Sequence, residues 1–280
     1  VAVLKVGGIA LFGVAALWAS GFSFAATEGT GQSGGVTGFV ASVALSILAF
    51  KGFTTITNSG AEITHPNRNV GRAIIFSIAI CVVVYLLVAF AVGASLPLDQ
   101  IIAAKDFALA EAAKPVLGQV GFYLTVALAL VATVSGVIAS IFAVSRMLAM
   151  LTEMELIPHS HFGLPGGVRD HTLIYTVVIA GLLTVFFDLS RIASLGAFFY
   201  LVMDIAIHWE VFRYLRHDVG AKGWIMLLAI GLDAIVLITF AILKWTQDPM
   251  IVVIAAGIMA AVFCFEFFYL RGRDQHVGSH

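Results

Sequence analysis

Two lysines lie inside apolar stretches of the chain, where a charged side chain is costly and marks a functional site by default. Lys5 lies near the start of the first apolar run, so it either acts inside the apolar region or extends from a helix end to the interface. Lys51 follows a second apolar run. It could face an anionic ligand, pair with a carboxylate such as Glu28, or bind a backbone carbonyl. In each case Lys51 disfavours a cationic group beside it.

The segment after the second apolar run has the composition of an interrupted helix. The run 36–48 is long enough for only half a membrane helix, and threonine, asparagine and serine follow it between Gly52 and Gly60. A break at membrane depth is tolerated only where the backbone lines a cavity or is buried in protein. We therefore predict that regular helical hydrogen bonding is lost within 49–58. The alternative is a continuous helix whose small residues pack against a neighbour.

A break of this kind exposes amide and carbonyl groups that can hold the charged ends of a small molecule. Aromatic side chains beside the glycine could pack on the rest of that molecule, although aromatic residues in apolar helices more often pack against other helices. The candidate substrate-binding residues are Ala49, Phe50, Gly52, Phe53 and Thr54.

Further charged residues lie in the later apolar runs. Asp204 and His208 are four residues apart, so they share a helix face and could form a pair that exchanges protons near neutral pH. A structural role is favoured, because the pair approaches the cytoplasmic interface, where such residues are common. Asp204 remains a candidate intramembrane charge, and Asp233 and Glu266 lie in the last two runs.

Nothing in the sequence indicates catalysis. Nucleophile–base, phosphate-binding and metal-ligand spacings are absent, and His159 and His161 lie in a glycine- and proline-rich loop without other ligands nearby. Cys81 and Cys264 lie within apolar runs and are interpreted as small buried hydrophobes. We therefore expect neither an enzyme nor a bound metal or cofactor.

Composition identifies the class of protein. The chain is 61% hydrophobic and 11% charged, whereas soluble domains carry about 25% charged residues. The chain is therefore an integral membrane protein, and its net charge of −1 gives no sign of nucleic-acid binding.

Apolar runs of helical length predict about eight transmembrane spans. Residues 98–115 form an amphipathic pattern that predicts a short surface helix, and residues 146–157 continue the fourth span helically. The spans are predicted at 3–22, 36–60 (broken), 74–96, 118–146, 172–187, 192–212, 223–243 and 249–270.

The distribution of lysine and arginine predicts the orientation, since cytoplasmic loops carry the excess. The richer side is taken as cytoplasmic, which places the C-terminus in the cytoplasm. It carries Arg68, Arg72, Arg146, Arg169, Arg213, Arg216, Lys222, Arg271 and Arg273, against Lys105, Lys114, Arg191 and Lys244 on the other side.

Three segments carry a resemblance to the amino acid–polyamine–organocation (APC) permeases. Segment 49–74 resembles their sixth helix, whose pattern is Ala-Tyr-x-Gly-Phe-Asp, Ala-Glu-Glu-x-x-Asn-Pro-x-Arg and Pro-x-Ala-Ile. Segment 145–158 resembles the Ser-Arg motif after their eighth helix, and segment 193–199 resembles their tenth-helix Ser-x-Gly-Thr-Leu-Phe. In the first segment the matching residues are Ala49, Gly52, Phe53, Glu62, Pro66, Arg68, Ala73 and Ile74.

The resemblance implies an all-α, leucine-transporter-like fold of two inverted repeats, present here in part as helices five to twelve. The chain would be one membrane domain, 1–280, with the last helix of the first repeat at 1–22, the second repeat at 36–216 and two peripheral helices at 223–270. The absent first helix would complete the substrate site. Such a C-terminal fragment should not transport by itself.

The resemblance also implies roles for individual residues. In proton-coupled relatives, a fifth-helix lysine similar to Lys5 occupies the place of a sodium ion, so Lys5 is the candidate for proton coupling and should point toward the fourth span. Glu62 and Arg68 should form the inner gate or an ion pair.

The sequence also departs from the family pattern, which makes the substrate of any relative unsafe to transfer. His65 replaces an asparagine, Gly71 a proline and Thr54 an aspartate, Lys51 replaces an apolar residue, and Leu48 stands where many relatives have a gating aromatic.

These features predict a multi-pass permease of the cell membrane. It would move an amino acid or related amine by alternating access, coupled to protons, either as a symporter or as an antiporter. Its partners would be that substrate, protons, the lipid bilayer and the N-terminal helices of the same protein, and not nucleic acid. The alternative is a non-transporting sensor or accessory protein of the same fold.

Overall fold

The computed structural model describes residues 2–21, 35–50, 52, 56–57, 63–157 and 167–277, with side chains for all of these except residues 2–5, 67 and 270–277. Every regular element in this described part is helical. The α-helices are α1 (Ala2–Ala19), α2 (Gly35–Ala49), α3 (Pro66–Ser95), α4 (Leu98–Ala104), α5 (Ala108–Glu153), α6 (Val168–Phe186), α7 (Leu189–Glu210), α8 (Gly223–Gln247) and α9 (Pro249–Val277). A 3₁₀ turn, Lys105–Phe107, precedes α5, and a π-helical turn, Val211–Leu215, follows α7.

Within the described residues, six helical stretches are long and apolar enough to cross a membrane. They correspond to α3, α4 continued through α5, α6, α7 with its π turn, α8 and α9. Helix α2 and the part of α1 with described side chains, Val6–Ala19, are also apolar but cover fewer than 18 residues each. Each of the eight predicted apolar segments thus contains an α-helix in its described residues, which confirms a multi-pass all-α membrane protein.

The predicted surface helix at 98–115 differs in detail from the structure. Helix α4 ends where Lys105 takes a backbone φ of 46°, which a right-handed helix cannot continue. Helix α5 then begins at Ala108. It is interrupted at Gly118, whose backbone is non-helical with φ 62°. Two positive φ angles therefore divide this region into pieces that the amphipathic pattern did not resolve.

Contacts between Cα atoms divide the chain into two compact units. The first unit comprises residues 1–32 and 52–143. In it α1 packs along α3, and a Cβ added at Gly13 would lie 2.6 Å from Leu87 Cγ. The buried core of this unit is made by Phe12, Ala16, Ala91, Leu96, Ala112 and Ala113.

The second unit comprises residues 33–51 and 144–280 and is organised around α7. Helix α7 contacts α2, α6, α8, α9 and the π turn. The rings of Phe198 and Phe240 lie 4.9 Å apart in its core, which also contains Ala41, Ala44, Leu195, Ala197, Leu201, Ile251 and Ala255. The predicted division into 1–22, 36–216 and 223–270 stays a prediction.

Candidate functional site

Helix α2 ends where the sequence predicted a break. Its 15 residues span about 22 Å at 1.5 Å per residue, which is less than the roughly 30 Å of a bilayer core. After Ala49 the amide of Phe50 donates to the carbonyl of Ile47, three residues back, at 3.0 Å. The regular i to i−4 pattern is therefore lost within 49–58, and this prediction is confirmed.

The structure describes part of the predicted substrate site. Ala49 is exposed and Phe50 is half-buried. Gly52 is exposed, and a Cβ added there would meet no heavy atom within 4 Å. Predicted site residues Lys51, Phe53, Thr54 and Glu62 lie outside the described residues. The substrate contacts of this segment therefore stay predictions.

The end of α2 packs against the tenth-helix motif on α7. A Cβ added at Gly196 would lie 3.4 and 3.5 Å from the two terminal methyl groups of Leu48. Gly196 thus lets Leu48, the residue at the family's gating position, approach the α7 backbone closely. The sequence contained both motifs but did not reveal that they meet, because this contact joins residues far apart in the chain.

The Ser-Arg motif that follows the fourth span begins at Ser145, and a hydrogen bond joins this residue to another helix. Ser145 is buried, and its backbone carbonyl accepts a hydrogen bond of 3.1 Å from the hydroxyl of Thr172 on α6. The Thr172 hydroxyl also lies 3.1 Å from the carbonyl of Arg169. This bond ties the end of α5 to the start of α6 within the second unit.

The start of α3 forms a polar cavity of about 620 Å³. His65 precedes the helix in a left-handed conformation, and Pro66 occupies its first turn. The side-chain amide of Asn69 donates to the carbonyl of Thr64 at 2.6 Å, while Arg68 and Arg72 are exposed and line the cavity. The predicted pair between Glu62 and Arg68 stays a prediction.

Lys5 lies on α1, but its side chain is outside the described set. Gly8 follows it by three residues and therefore lies on the same helix face. A Cβ added at Gly8 would lie 3.0 Å from Leu128 on α5. The Lys5 face of α1 is thus the face next to the fourth span, while the direction of the Lys5 ammonium stays a prediction.

A polar cluster joins α7 to α8. The Nδ1 atom of His208 lies 2.9 Å from the carbonyl oxygen of Asp204, 3.8 Å from the Asp204 carboxylate and 3.9 Å from the Asp233 carboxylate. The side chains of His208, Asp204 and Asp233 are 31%, 26% and 14% exposed. Sequence spacing predicted the pair of Asp204 and His208, whereas Asp233 joins it only through the packing of two helices.

Comparison with known proteins places the chain in a family. A family model described as amino acid permease matches residues 1–275. The chain is similar to an uncharacterized protein of Methanocaldococcus jannaschii, with 27% identity over 236 residues, covering 84% of this chain and 54% of that protein. It is also similar to the inner membrane transport protein YbaT of Escherichia coli, with 28% identity over 212 residues, covering 75% of this chain and 48% of that protein.

The chain thus spans about half the length of these curated relatives. The family match, in contrast, extends over nearly all of the chain, including the three motifs and both compact units. The chain therefore belongs to the amino acid permease family, which confirms both the resemblance to APC permeases and the fold class predicted from it.

Proposed function

We propose that the chain is part of a secondary transporter that moves an amino acid or a related amine by alternating access, coupled to protons. The observation that carries this proposal is the end of α2 at Ala49, inside an apolar region and directly beside the Gly196 motif of α7. Backbone groups freed at such a break can bind the ammonium and carboxylate of an amino acid. Membership of a permease family supports transport rather than an enzymatic reaction.

In this proposal the chain supplies one part of the site, and the remaining half of a protein of its relatives' length supplies the rest. Ala49, Phe50, Gly52, Phe53 and Thr54 would line the substrate. Glu62 and Arg68 would close the site on the cytoplasmic side, and Lys51 would exclude a cationic substrate side chain by repulsion. Because α2 ends next to a glycine of α7, small movements at this contact could open or close access to the substrate.

Substrate binding can be tested by thermal unfolding of the complete protein with a panel of amino acids and amines. A ligand at a hundred times its Kd should stabilise the protein by about 2.7 kcal/mol. Phe53→Ala should abolish the shift, whereas Phe39→Ala, which removes an exposed phenylalanine of α2, should leave it unchanged. A panel without any shift would contradict the proposal and favour a non-transporting sensor or accessory protein.

Transport itself requires uptake measurements in proteoliposomes. A ligand identified by the thermal shift should accumulate when the outside is made acidic, and a protonophore should abolish accumulation. Binding without uptake would identify a sensor. Uptake that the protonophore does not reduce would contradict proton coupling.

The proposed location is the cell membrane, with the C-terminus in the cytoplasm. The clustering of arginine and lysine on one set of loops supports this orientation. Alkaline phosphatase, which is active only outside the cytoplasm, should be inactive when fused after the last residue and active when fused within residues 96–98. The opposite pattern would reverse the orientation.

A further inference from the structure

The polar cluster of Asp204, His208 and Asp233 lies between two apolar helices of the second unit. One nitrogen of His208 and one oxygen of each carboxylate all lie within 4.8 Å of one another. Two ionised carboxylates this close repel each other, which favours binding a proton at one of them. The geometry therefore already provides a place for at least one proton.

No basic side chain compensates these carboxylates in the described part of the chain. Lysine and arginine are absent within 4.0 Å of either aspartate there, and His208 is their nearest ionisable neighbour of opposite charge. Without added protons the cluster carries two negative charges in membrane-spanning segments, where uncompensated charge is costly. A proton bound at the cluster would lower that cost.

The contact of His208 with the backbone identifies which cation fits. A carbonyl oxygen can only accept, so the Nδ1 atom at 2.9 Å from the Asp204 carbonyl carries a hydrogen. That nitrogen has no lone pair left for a metal ion, and it faces both carboxylates. A proton added to the free Nε2 atom makes an imidazolium whose charge lies beside the two aspartates.

Other ionisable side chains lie on the helices that pack around the cluster. Tyr200 lies one turn before Asp204 on α7 and interacts electrostatically with both carboxylates. Helix α7 also carries Arg191 and Glu210, and α8 carries Lys244. Among the described residues α2 contributes no ionisable side chain. The other packed elements carry Arg169, Asp170, His171 and Tyr175 on α6, Cys264, Glu266 and Tyr269 on α9, and Arg213 and Tyr214 in the π turn.

We propose that Asp204, His208 and Asp233 form an intramembrane proton-binding site distinct from Lys5. At high pH the site holds two carboxylates and a neutral imidazole. At lower pH two protons enter from water, one onto the carboxylate pair and one onto Nε2 of His208, and the net charge of the cluster rises from −2 to zero. This inference stands whether or not the protein transports an amino acid, because proton binding is measured on the protein at rest.

The test compares thermal unfolding of the purified complete protein and its Asp233→Asn variant across about pH 5 to 9. Ionisation adds uncompensated charge only to the wild type, so the wild type should lose stability relative to the variant as the pH rises. The difference in Tm should grow by about 5 °C over this range. The control is Asp218→Asn, at an exposed position in the turn before α8, whose difference from wild type should stay constant.

A pH-independent difference for Asp233→Asn would overturn the proposal. Zn²⁺, Mn²⁺ or Na⁺ that raised the Tm of the wild type but not of the variant at constant pH would also overturn it, in favour of a metal site. If Asp233→Asn does not fold, infrared difference spectra decide. A pH jump of the wild type should produce a protonated-carboxyl band that Asp204→Asn shifts or removes, and absence of that band would refute the proposal.

Discussion

His65 adopts a left-handed backbone conformation, with φ 51° and ψ 60°, directly before the proline that begins α3. This conformation is unfavourable for most residues and is best tolerated by glycine, asparagine, aspartate and histidine. The family pattern has asparagine at this position, so the departure noted in the sequence preserves a residue type that fits the same backbone.

We expect His65→Asn to keep or slightly raise stability, and His65→Val to lower it by about 1–2 kcal/mol, because a β-branched residue fits a left-handed conformation poorly. Chemical unfolding of both variants in detergent measures the difference. Equal stabilities of the asparagine and valine variants would show that His65 does not hold this conformation in solution.

Two glycines on α1 differ in the space around them. A Cβ added at Gly13 would lie 2.6 Å from Leu87 Cγ and 3.0 Å from Leu87 Cδ2, whereas one added at Gly7 would meet nothing within 4 Å. Small residues at helix contacts allow close backbone approach in membranes.

Gly13→Ala should therefore destabilise the protein by about 1–3 kcal/mol through overpacking, while Gly7→Ala on the same helix should be neutral or stabilising. Thermal unfolding of the two variants tests this contact. If Gly13→Ala were as stable as Gly7→Ala, α1 would not pack on α3 at this distance.

At the scale of elements, sequence patterns located the helices but not all of their ends. The end of α2 was predictable because a segment rich in glycine and hydroxyl residues begins at Gly52, three residues after Ala49. The interruptions at Lys105 and Gly118 were not predictable. An isolated lysine gives no local signal of a positive φ, and an isolated glycine is also common inside regular membrane helices. The meeting of Leu48 with Gly196 and of Asp233 with His208 depends on which helices become neighbours, and helix periodicity contains no information about partners.

The N-terminus of α7 shows an element whose start is specified locally. Asp188 precedes the helix in an extended conformation, and its carboxylate accepts a hydrogen bond of 2.8 Å from the amide of Arg191. The Arg191 side chain also pairs with Asp248, the residue before α9, at 2.7 Å. A negative side chain at this position satisfies a free amide and complements the helix dipole.

Asp188→Ala should reduce stability by about 1 kcal/mol through loss of this cap, whereas Asp188→Asn, which can still accept the hydrogen bond, should cost much less. The measurement is unfolding of the three proteins at one pH. Similar losses for alanine and asparagine would assign the effect to charge rather than to capping.

For the molecule as a whole, composition and the three motifs predicted the membrane class, the all-α fold and the family, and these predictions were confirmed. The substrate could not be predicted, because the residues that would decide it include departures from the family pattern such as Thr54 and Lys51. The chain also spans only about half the length of the curated relatives it matches.

The proposed proton coupling through Lys5 would link a residue of α1 to transport by the complete protein. Gly8 shares the helix face of Lys5 and lies against Leu128 of α5, so a lysine on this face is next to another helix. Lys5→Ala removes a charge from an apolar segment and leaves no opposite charge known to depend on it, so the variant should preserve the fold.

We expect complete protein carrying Lys5→Ala to lose uptake driven by a pH gradient while it keeps substrate exchange at equal pH on both sides, because exchange needs no net proton movement. Lys222→Ala, which removes an exposed lysine before α8, should retain both activities. Gradient-driven uptake that survived Lys5→Ala with its pH dependence intact would remove Lys5 from the coupling mechanism. The separate effect of Asp233→Asn on pH-dependent stability would then show whether the α7–α8 cluster alone binds the proton.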